Sequence, residues 1–415
     1  MVHFSMRLGP NSRDIIRIGK IFHDNNYEFF LVGGALRDLL LKKTPCDFDF
    51  TTNATPKEIM KLFPNNIQTG IKHGTISIIF NKKFFEVTTY RIDKEYENKR
   101  FPKEIEFTKN LKEDLKRRDF TINSIAMNIL NHKIIDHYNG RGDLNKKIIK
   151  CIGNANKRFE EDALRILRAS RFASVLDFTI DKQTSISMKY KKENILFLSK
   201  ERINNEFIKL LEGKNPIKGI NYLQKVNFFT YFFNMEINKK LKNKIALLDK
   251  KKIYLKAIVV LTIKKDIFPL KETLRLLKFS NKDIKLILFY KYSFNKLHTL
   301  QIKTLADIRT LLSKITKESY KEVFDIYKAI RGKDHKLKLI LNKMKSKKLI
   351  NNPLSFKELA INGWDIKKLN IMEDKKIGQI LANLLNKVLK NPKLNKKEIL
   401  IEHVKKIKDQ YYQHS

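Results

Sequence analysis

Cysteine is nearly absent from this chain of 415 residues, with two occurrences, and tryptophan occurs once. Cys46 and Cys151 can build neither a disulfide framework nor a cysteine-ligated metal cluster, which suits a reducing compartment and points to the cytoplasm. Runs of about 18 apolar residues are also missing, so no segment is expected to span a membrane. The opening stretch MVHFSMRLGPNSRD lacks the apolar core of a secretory signal. No repeat of fixed period and no low-complexity linker interrupts the chain.

Acidic side chains are the other shortage. Against 86 Lys and Arg stand 44 Asp and Glu, for a formal net charge of +42. The deficit is uneven: residues 1–150 hold 27 basic and 18 acidic side chains (+9), residues 151–200 hold 10 and 6 (+4), and residues 201–415 hold 49 and 20 (+29). Abundant Lys, Asn and Ile indicate a compositional drift that inflates the total. Drift does not by itself explain why acids become scarce after residue 200. A polyanion lying along the second half is the expected partner, and nucleic acid is the expected polyanion. With 42% hydrophobic residues the chain is long enough for two to four domains.

What is present is organised around residues 29–50, FFLVGGALRDLLLKKTPCDFDF. Phe29 to Val32 reads as a buried strand, broken by Gly33-Gly34, and a short helix from Ala35 to Leu41 carries Arg37 and Asp38. The chain turns at Thr44-Pro45 into a second strand, Cys46 to Phe50. Residues two apart in a strand share a face, so Asp47 and Asp49 are expected on one side and Phe48 and Phe50 in the core. Two neighbouring carboxylates repel unless a cation lies between them, and hard oxygens at that spacing suit Mg²⁺. Glycines opening a helix offer backbone N–H groups and positive dipole to phosphates. A diglycine or a D-x-D alone is ordinarily a turn or a solvated strand end. Strand, Gly-Gly, helix and D-x-D strand in that order favour a nucleoside triphosphate with its metal.

Further along, residues 12–26 read as an amphipathic helix. Thr55-Pro56-Lys57-Glu58 is a capping box opening a helix to about Phe63. Thr75–Phe80 and Phe84–Tyr90 form a hairpin across Asn81-Lys82-Lys83, with Glu86 on its second strand as a possible third carboxylate. Residues 93–112 are expected to be a mobile surface loop, because they are charged and hold Pro102. Asp114–Met127 is expected to be a helix and Ile134–Asp136 a last strand. Arg158–Leu176 reads as one helix, and Ser199 as the N-cap of Lys200–Glu212, where Arg202 can pair with Glu206 at i+4. From residue 217 to the end, helices dominate. Trp364 reads as a core or packing residue and not as a base-stacking platform.

The segments LVGGALRDLLLKKTPCDFDFTT, TGIKHGT, FEVTTYRID, DLKRRDFTINSIAMN, IDHYNGRGDL and RFEEDALRILRASRF, with ELAINGWDIKKL and KKIGQILANLLNKVL near the end, follow one another as in class II, bacterial-type CCA-adding tRNA nucleotidyltransferases. That family belongs to the tRNA nucleotidyltransferase/poly(A) polymerase group, and the resemblance covers most of the chain. It implies an α/β polymerase-β-like head over residues 1–148, then an all-α neck (149–222) that selects the nucleotide, and an all-α body and tail (223–415) that bind tRNA. The implied activity is template-independent addition of C, C and A to tRNA 3′ ends from CTP and ATP, dependent on Mg²⁺ and releasing pyrophosphate.

By the same resemblance Gly33, Gly34 and Arg37 hold the triphosphate, Asp47 and Asp49 bind metal, and Glu86 is a candidate third carboxylate. Asp119 and Asn123, four apart on a helix, match the ribose-reading group, and Arg117 or Arg118 meets phosphate. In Glu161-Asp162-x-x-Arg165 the last two residues at i, i+3 project from one side of a helix. A carboxylate acceptor beside a guanidinium donor complements the N4–H and N3 of cytosine and the N6–H and N1 of adenine, whereas uracil and guanine present the reverse polarity. The plain alternative is an intrahelical salt bridge. Glu161 is expected to orient the pair, with Arg168 and Arg171 adding phosphate contacts.

Two departures from the family pattern are His137 in place of a usual Pro and Met372-Glu373-Asp374 in place of a usual Pro-Gly. The rival readings are a bacterial poly(A) polymerase, a CC-adding or A-adding half-enzyme, and a non-enzymatic RNA-binding protein. TGIKHGT and the tail match argue against the first, the retained residues 93–112 against a CC-adding enzyme, and intact Asp47, Asp49 and Asp162 against the last.

Overall fold

The computed structural model describes residue 8 and residues 11–45, 47–97, 101–315, 319–344, 352–371 and 373–412. Cys46 and Met372 lie outside the described residues. The chain forms two compact units, Met1–Ile237 and Asn238–Ser415. The boundaries expected near residues 148 and 222 both lie within the first unit.

The first unit opens with α1 (Ser12–Asp24), β1 (Phe30–Val32), α2 (Gly33–Leu40), β2 (Asp49–Thr52) and α3 (Pro56–Leu62), followed by β3 (Asn66–Ile67), β4 (Thr75–Phe80) and β5 (Lys83–Thr89). Its seven-stranded sheet has the order β3-β4-β5-β2-β1-β8-β9, where β8 is Ala126–Asn128 and β9 is Ile134–Ile135. β1 is nearly central, between antiparallel β2 and β8, while β2 runs parallel to β5. Its continuous apolar run has the physical cause usual for a strand covered on both faces. Leu31 joins the core of α1, α2 and α3, and its neighbours Phe30 and Val32 point to the other side, against Tyr90, Leu111 and Leu115. Phe29 stacks between Phe22 and Phe50, at 4.8 and 4.6 Å between ring centres.

The expected capping box at Thr55 and Glu58 is present. The β4–β5 hairpin turns on Asn81 and Lys82, both with positive φ (50° and 62°), as a two-residue turn between right-twisted strands requires. Residues 93–112, expected to be a loop, are largely a second ribbon: β6 (Arg91–Glu97) pairs antiparallel with β7 (Phe101–Phe107). A ribbon forming its own two-stranded sheet does not need one apolar face, so its charges concealed the strand period.

The helix expected over 114–127 is also shorter. α4 spans Leu111–Lys116, the chain extends at Phe120 (φ −130°, ψ 151°), and a single 3₁₀ turn at Thr121–Asn123 leads into β8. After α5 (Gly140–Asn145), the expected helix 158–176 is two: α6 (Ala155–Glu161) and α7 (Leu164–Leu176), broken at Asp162 (φ −144°, ψ 104°). α8 (Lys182–Tyr190) and α9 (Lys200–Leu211) follow. Ser199 stands at the N-cap of α9 in extended conformation, but its side chain makes no capping bond.

The described residues of the second unit are helical, and its last part has a core of its own around Ile361, Ile366, Leu384, Leu400 and Val404. Among the described residues of this unit, Lys256 and Lys291 are buried. Lys256 meets Asp325 at 2.5 Å, and Lys291 donates to the carbonyls of Thr262 and Ile263 at 2.6 and 2.9 Å.

Candidate active site

Four short segments of the first unit, with residues of β2 and of the stretch Arg91–Asp93 beside them, converge on a cleft of about 620 Å³. The first is the β1–α2 junction. Gly33 has φ +69°, which disfavours any residue with a Cβ, and a Cβ there would also crowd Asp49 Oδ2 at 3.3 Å. Gly33, Gly34, Arg37 and Asp49 all line the cleft. Asp47 sits in a bend just before β2, exposed and outside the cleft lining, while Phe50 is buried and Phe48 packs partly on the same core. The strand therefore begins at Asp49, two residues later than Asp47. Asp49 is itself exposed at the mouth of the cleft, where desolvation by the surrounding walls pushes its carboxyl up, Arg118 opposes the rise and Asp47 adds to it.

Glu86 occupies the position paired with Asp49 on parallel β5, but it is exposed and does not line the cleft. Among the described residues no three His, Cys, Asp or Glu side chains gather as a metal site. Shared register places Glu86 beside Asp49 on the neighbouring strand, the position from which a third carboxylate is proposed.

The second segment follows α4. Buried Asp114 anchors Arg117 at 2.8 Å and Arg118 at 3.1 Å, and although burial works against its charge the two guanidinium groups hold its pKa down. Asp119 accepts from the Asn123 amide at 3.0 Å, and Asn123 accepts in turn from Arg37 at 2.9 Å. Asp119 and Asn123 meet through a turn and not along the α-helical face expected for them. Burial alone would raise the Asp119 carboxyl; the Arg168 charge and the bonds from Asn123 and Arg168 overcome it and bring it down to about 2.

The third segment is the α6–α7 break. Asp162 Oδ1 accepts the Leu164 N–H at 3.0 Å and Oδ2 accepts from Arg202 at 2.9 Å. Arg165, almost fully buried, donates to Glu161 at 2.6 Å and to the carbonyls of Arg158 and Arg117 at 2.9 and 3.3 Å. Asp162 and Arg165 do not project from one continuous helix, which corrects the sequence reading. Each has its own anchor, Arg202 and Glu161 respectively, and both line the cleft. Glu161 itself does not line it.

Arg168 and Arg171 continue along α7. Arg168 meets Asp119 at 2.7 Å, which raises its pKa, and Arg171 meets Glu206 at 2.6 Å, while burial lowers the Arg171 value. The buried ring of Phe172 lies beneath three guanidinium groups: Arg171 at 4.2 Å, Arg37 at 5.2 Å and Arg168 at 5.4 Å. This aromatic floor holds cations from separate segments in one cluster.

The fourth segment is α9, which supplies Arg202. Sequence reasoning paired Arg202 with Glu206 within its own helix. Glu206 is taken by Arg171 instead, and Arg202 reaches Asp162. Phe172, Arg91 and Asp93 also line the cleft, the last two joined at 3.3 Å, and none was singled out from sequence. Their only signal lies in the motifs that contain them, RFEEDALRILRASRF and FEVTTYRID.

Comparison with known proteins follows these landmarks. The family model "Poly A polymerase head domain" matches residues 29–150, and "Probable RNA and SrmB- binding site of polymerase A" matches residues 177–241. CCA-adding enzymes of Staphylococcus aureus, strains Newman and COL, are each 38% identical over 283 residues, 68% of this chain and 68% of theirs. The chain belongs to the CCA-adding enzyme family. A structure of the Bacillus stearothermophilus CCA-adding enzyme in complex with CTP is 26% identical, with a TM-score of 0.80 over 98% of this chain and 100% of that one. The Thermotoga maritima CCA-adding enzyme complexed with tRNA shares the fold, at 23% identity and a TM-score of 0.69 over 97% of each chain. No described helix of this family member is long and apolar enough to cross a membrane.

Proposed function

We propose that this chain adds C, C and A in turn to the 3′ end of tRNA, taking them from CTP and ATP and releasing pyrophosphate. The observation that carries the reading is the meeting of two chemistries in one cleft. Guanidinium groups and the Gly33-Gly34 turn stand beside Asp49, and the anchored carboxylate and guanidinium of Asp162 and Arg165 belong to the same walls.

In this reading the N–H groups at the start of α2, with Arg37, Arg118, Arg168 and Arg171, receive the triphosphate, and Asp119 with Asn123 receives the ribose. Asp162 accepts from the exocyclic amine of C or A, and Arg165 donates to N3 or N1. The separate anchoring of these two residues favours base recognition over a closed salt bridge, because the pair is not consumed by itself. Fixing donor and acceptor before the base arrives makes the preference a property of the protein and needs no template.

The donor set fits a divalent cation. Asp47 and Asp49 offer hard oxygens on either side of Phe48, and the charge of Asp47 already penalises ionisation of Asp49, a cost that a cation between them removes. We assign Mg²⁺ to these two residues. When bound, such an ion lowers the pKa of the primer 3′-hydroxyl and offsets charge at the α-phosphate. The division into a head (1–148), a nucleotide-selecting neck (149–222) and a tRNA-binding body and tail (223–415) is part of the same proposal, as is a place in the cytoplasm.

The test is extension of a tRNA lacking its CCA end with CTP alone, ATP alone and both together. CTP alone gives two additions and the pair gives three. Unlimited A addition indicates a poly(A) polymerase, and arrest after CC with both nucleotides present indicates a half-enzyme.

A further inference from the structure

A lone tryptophan is ordinarily buried, since its large apolar surface gains most from leaving water. Trp364 is instead 76% exposed. It lies in the helix Gly363–Lys367, and the residues around it are tied down. Ile361 and Ile366 are buried in the core of the last part of the chain. The Asn362 side chain accepts the N–H groups of Trp364 and Asp365 at 2.9 and 3.3 Å, and Asp365 accepts that of Asn362 at 2.9 Å. Asp365 also pairs with Lys397 at 2.8 Å. The backbone that carries the indole is thereby fixed, and the ring is held outward from it.

Lysines outnumber acids around the ring, and Asp374, Glu373 and Asp365 pair with Lys367, Lys376 and Lys397. Lys367 Nζ stands 5.7 Å from the ring centre and meets Asp374 at 3.1 Å, and Lys368, Lys375 and Lys376 are exposed close by in sequence. Residues 351–415 hold 13 lysines against 7 acidic side chains. A flat aromatic face among lysines matches a nucleic acid, whose bases offer π-faces and whose backbone offers charge. A protein partner of apolar surface would find this ring set among charges that it must desolvate.

We infer that Trp364 is a stacking platform for an exposed base of the tRNA, with the neighbouring lysines taking the adjoining phosphates. The inference rests on the reading of tRNA as substrate. Stacking suits an enzyme that must accept many different tRNAs, because every base has a π-face and no base edge is read. The platform therefore adds affinity without adding sequence preference.

Because Trp364 is the only tryptophan, intrinsic fluorescence of the full chain reports on it alone. Titration with tRNA lacking CCA is expected to quench the emission and shield the ring from acrylamide, whereas heparin, which brings charge without bases, leaves it unquenched. Trp364→Ala is expected to raise KM for tRNA by about 5- to 100-fold while kcat and the KM for CTP hold, and Trp364→Phe retains part of the affinity. Extension of tRNA with unquenched emission and unchanged KM in Trp364→Ala overturns the platform alone. A wild-type chain that neither binds nor extends tRNA overturns the substrate reading itself. A concentration-dependent emission shift without RNA assigns the ring to contact between copies and also overturns the platform.

Discussion

Removal of Arg202 isolates the base-reading carboxylate without dismantling the cleft. Arg165 is a poor point of attack, since its guanidinium bonds three acceptors, on Glu161, Arg158 and Arg117, and truncation empties an almost fully buried position. Arg202 spends one charged bond, 2.9 Å long, on Asp162 Oδ2, and Oδ1 keeps the Leu164 N–H. A hydrogen bond between charged groups is worth roughly 1.5–3 kcal/mol. The side chains are 25% and 17% exposed, so water replaces part of it and about 1–2 kcal/mol remains. That corresponds to roughly 5- to 30-fold in kcat/KM for CTP. The assay is single-nucleotide addition to a tRNA ending in its discriminator base, with CTP and UTP compared. Arg202→Ala should lower kcat/KM for CTP by that factor and narrow the CTP:UTP ratio. Arg202→Lys, which keeps the charge but not the planar fork, should recover part of both. Unchanged CTP kinetics and an unchanged ratio in Arg202→Ala would show that Asp162 needs no anchor and that Arg202 is a peripheral ion pair.

Asp47→Ala and Asp49→Ala should each abolish incorporation of both CTP and ATP while tRNA binding, measured by filter retention, survives; loss of one nucleotide activity alone would contradict a shared metal site. Phe172→Leu keeps most of the buried volume but loses the face under Arg37, Arg168 and Arg171, so KM for CTP and ATP should rise together by roughly 10- to 150-fold, for three contacts at about 0.5–1 kcal/mol each. Equal KM values in the variant would show that the ring only fills space. Asp119 titrates at about 2 in the fold, below the ordinary 3.8, so it contributes stability above pH 4 that is lost as pH falls from about 4 to 2. The gap is worth about 2 kcal/mol. Urea unfolding across that window should show it in the wild type and a flatter profile in Asp119→Asn.

Much of the head was legible because its signals are local. The Phe29–Val32 run, the two glycines, the Thr55 capping box and the Asn81-Lys82-Lys83 turn each encode their conformation within a few residues, and each element formed within a residue or two of its expected bounds. What escaped depends on side-chain bonds that compete with the helix locally and on partners distant in sequence. Asp119 and Asp162 bond to neighbouring backbone N–H groups, of Phe120 and Leu164, and so interrupt helices that apolar spacing alone would continue. Arg202 passes over Glu206, its neighbour at i+4, because Arg171 from another helix holds that carboxylate. The β6–β7 ribbon pairs with itself and carries charge on its strands, which erased its periodicity. Trp364 was misread because its residue type speaks for burial, whereas its place between Ile361 and Ile366, both buried, turns it outward.

The direct test of untemplated CCA addition is to sequence the 3′ ends formed when the full chain meets tRNA lacking CCA, a divalent metal and all four nucleoside triphosphates at equal concentration. The expected product is a single species ending in CCA, with U and G absent and no further growth. Ends of mixed sequence or an extending A tract would contradict a cleft that selects C and A through Asp162 and Arg165 and stops after three additions.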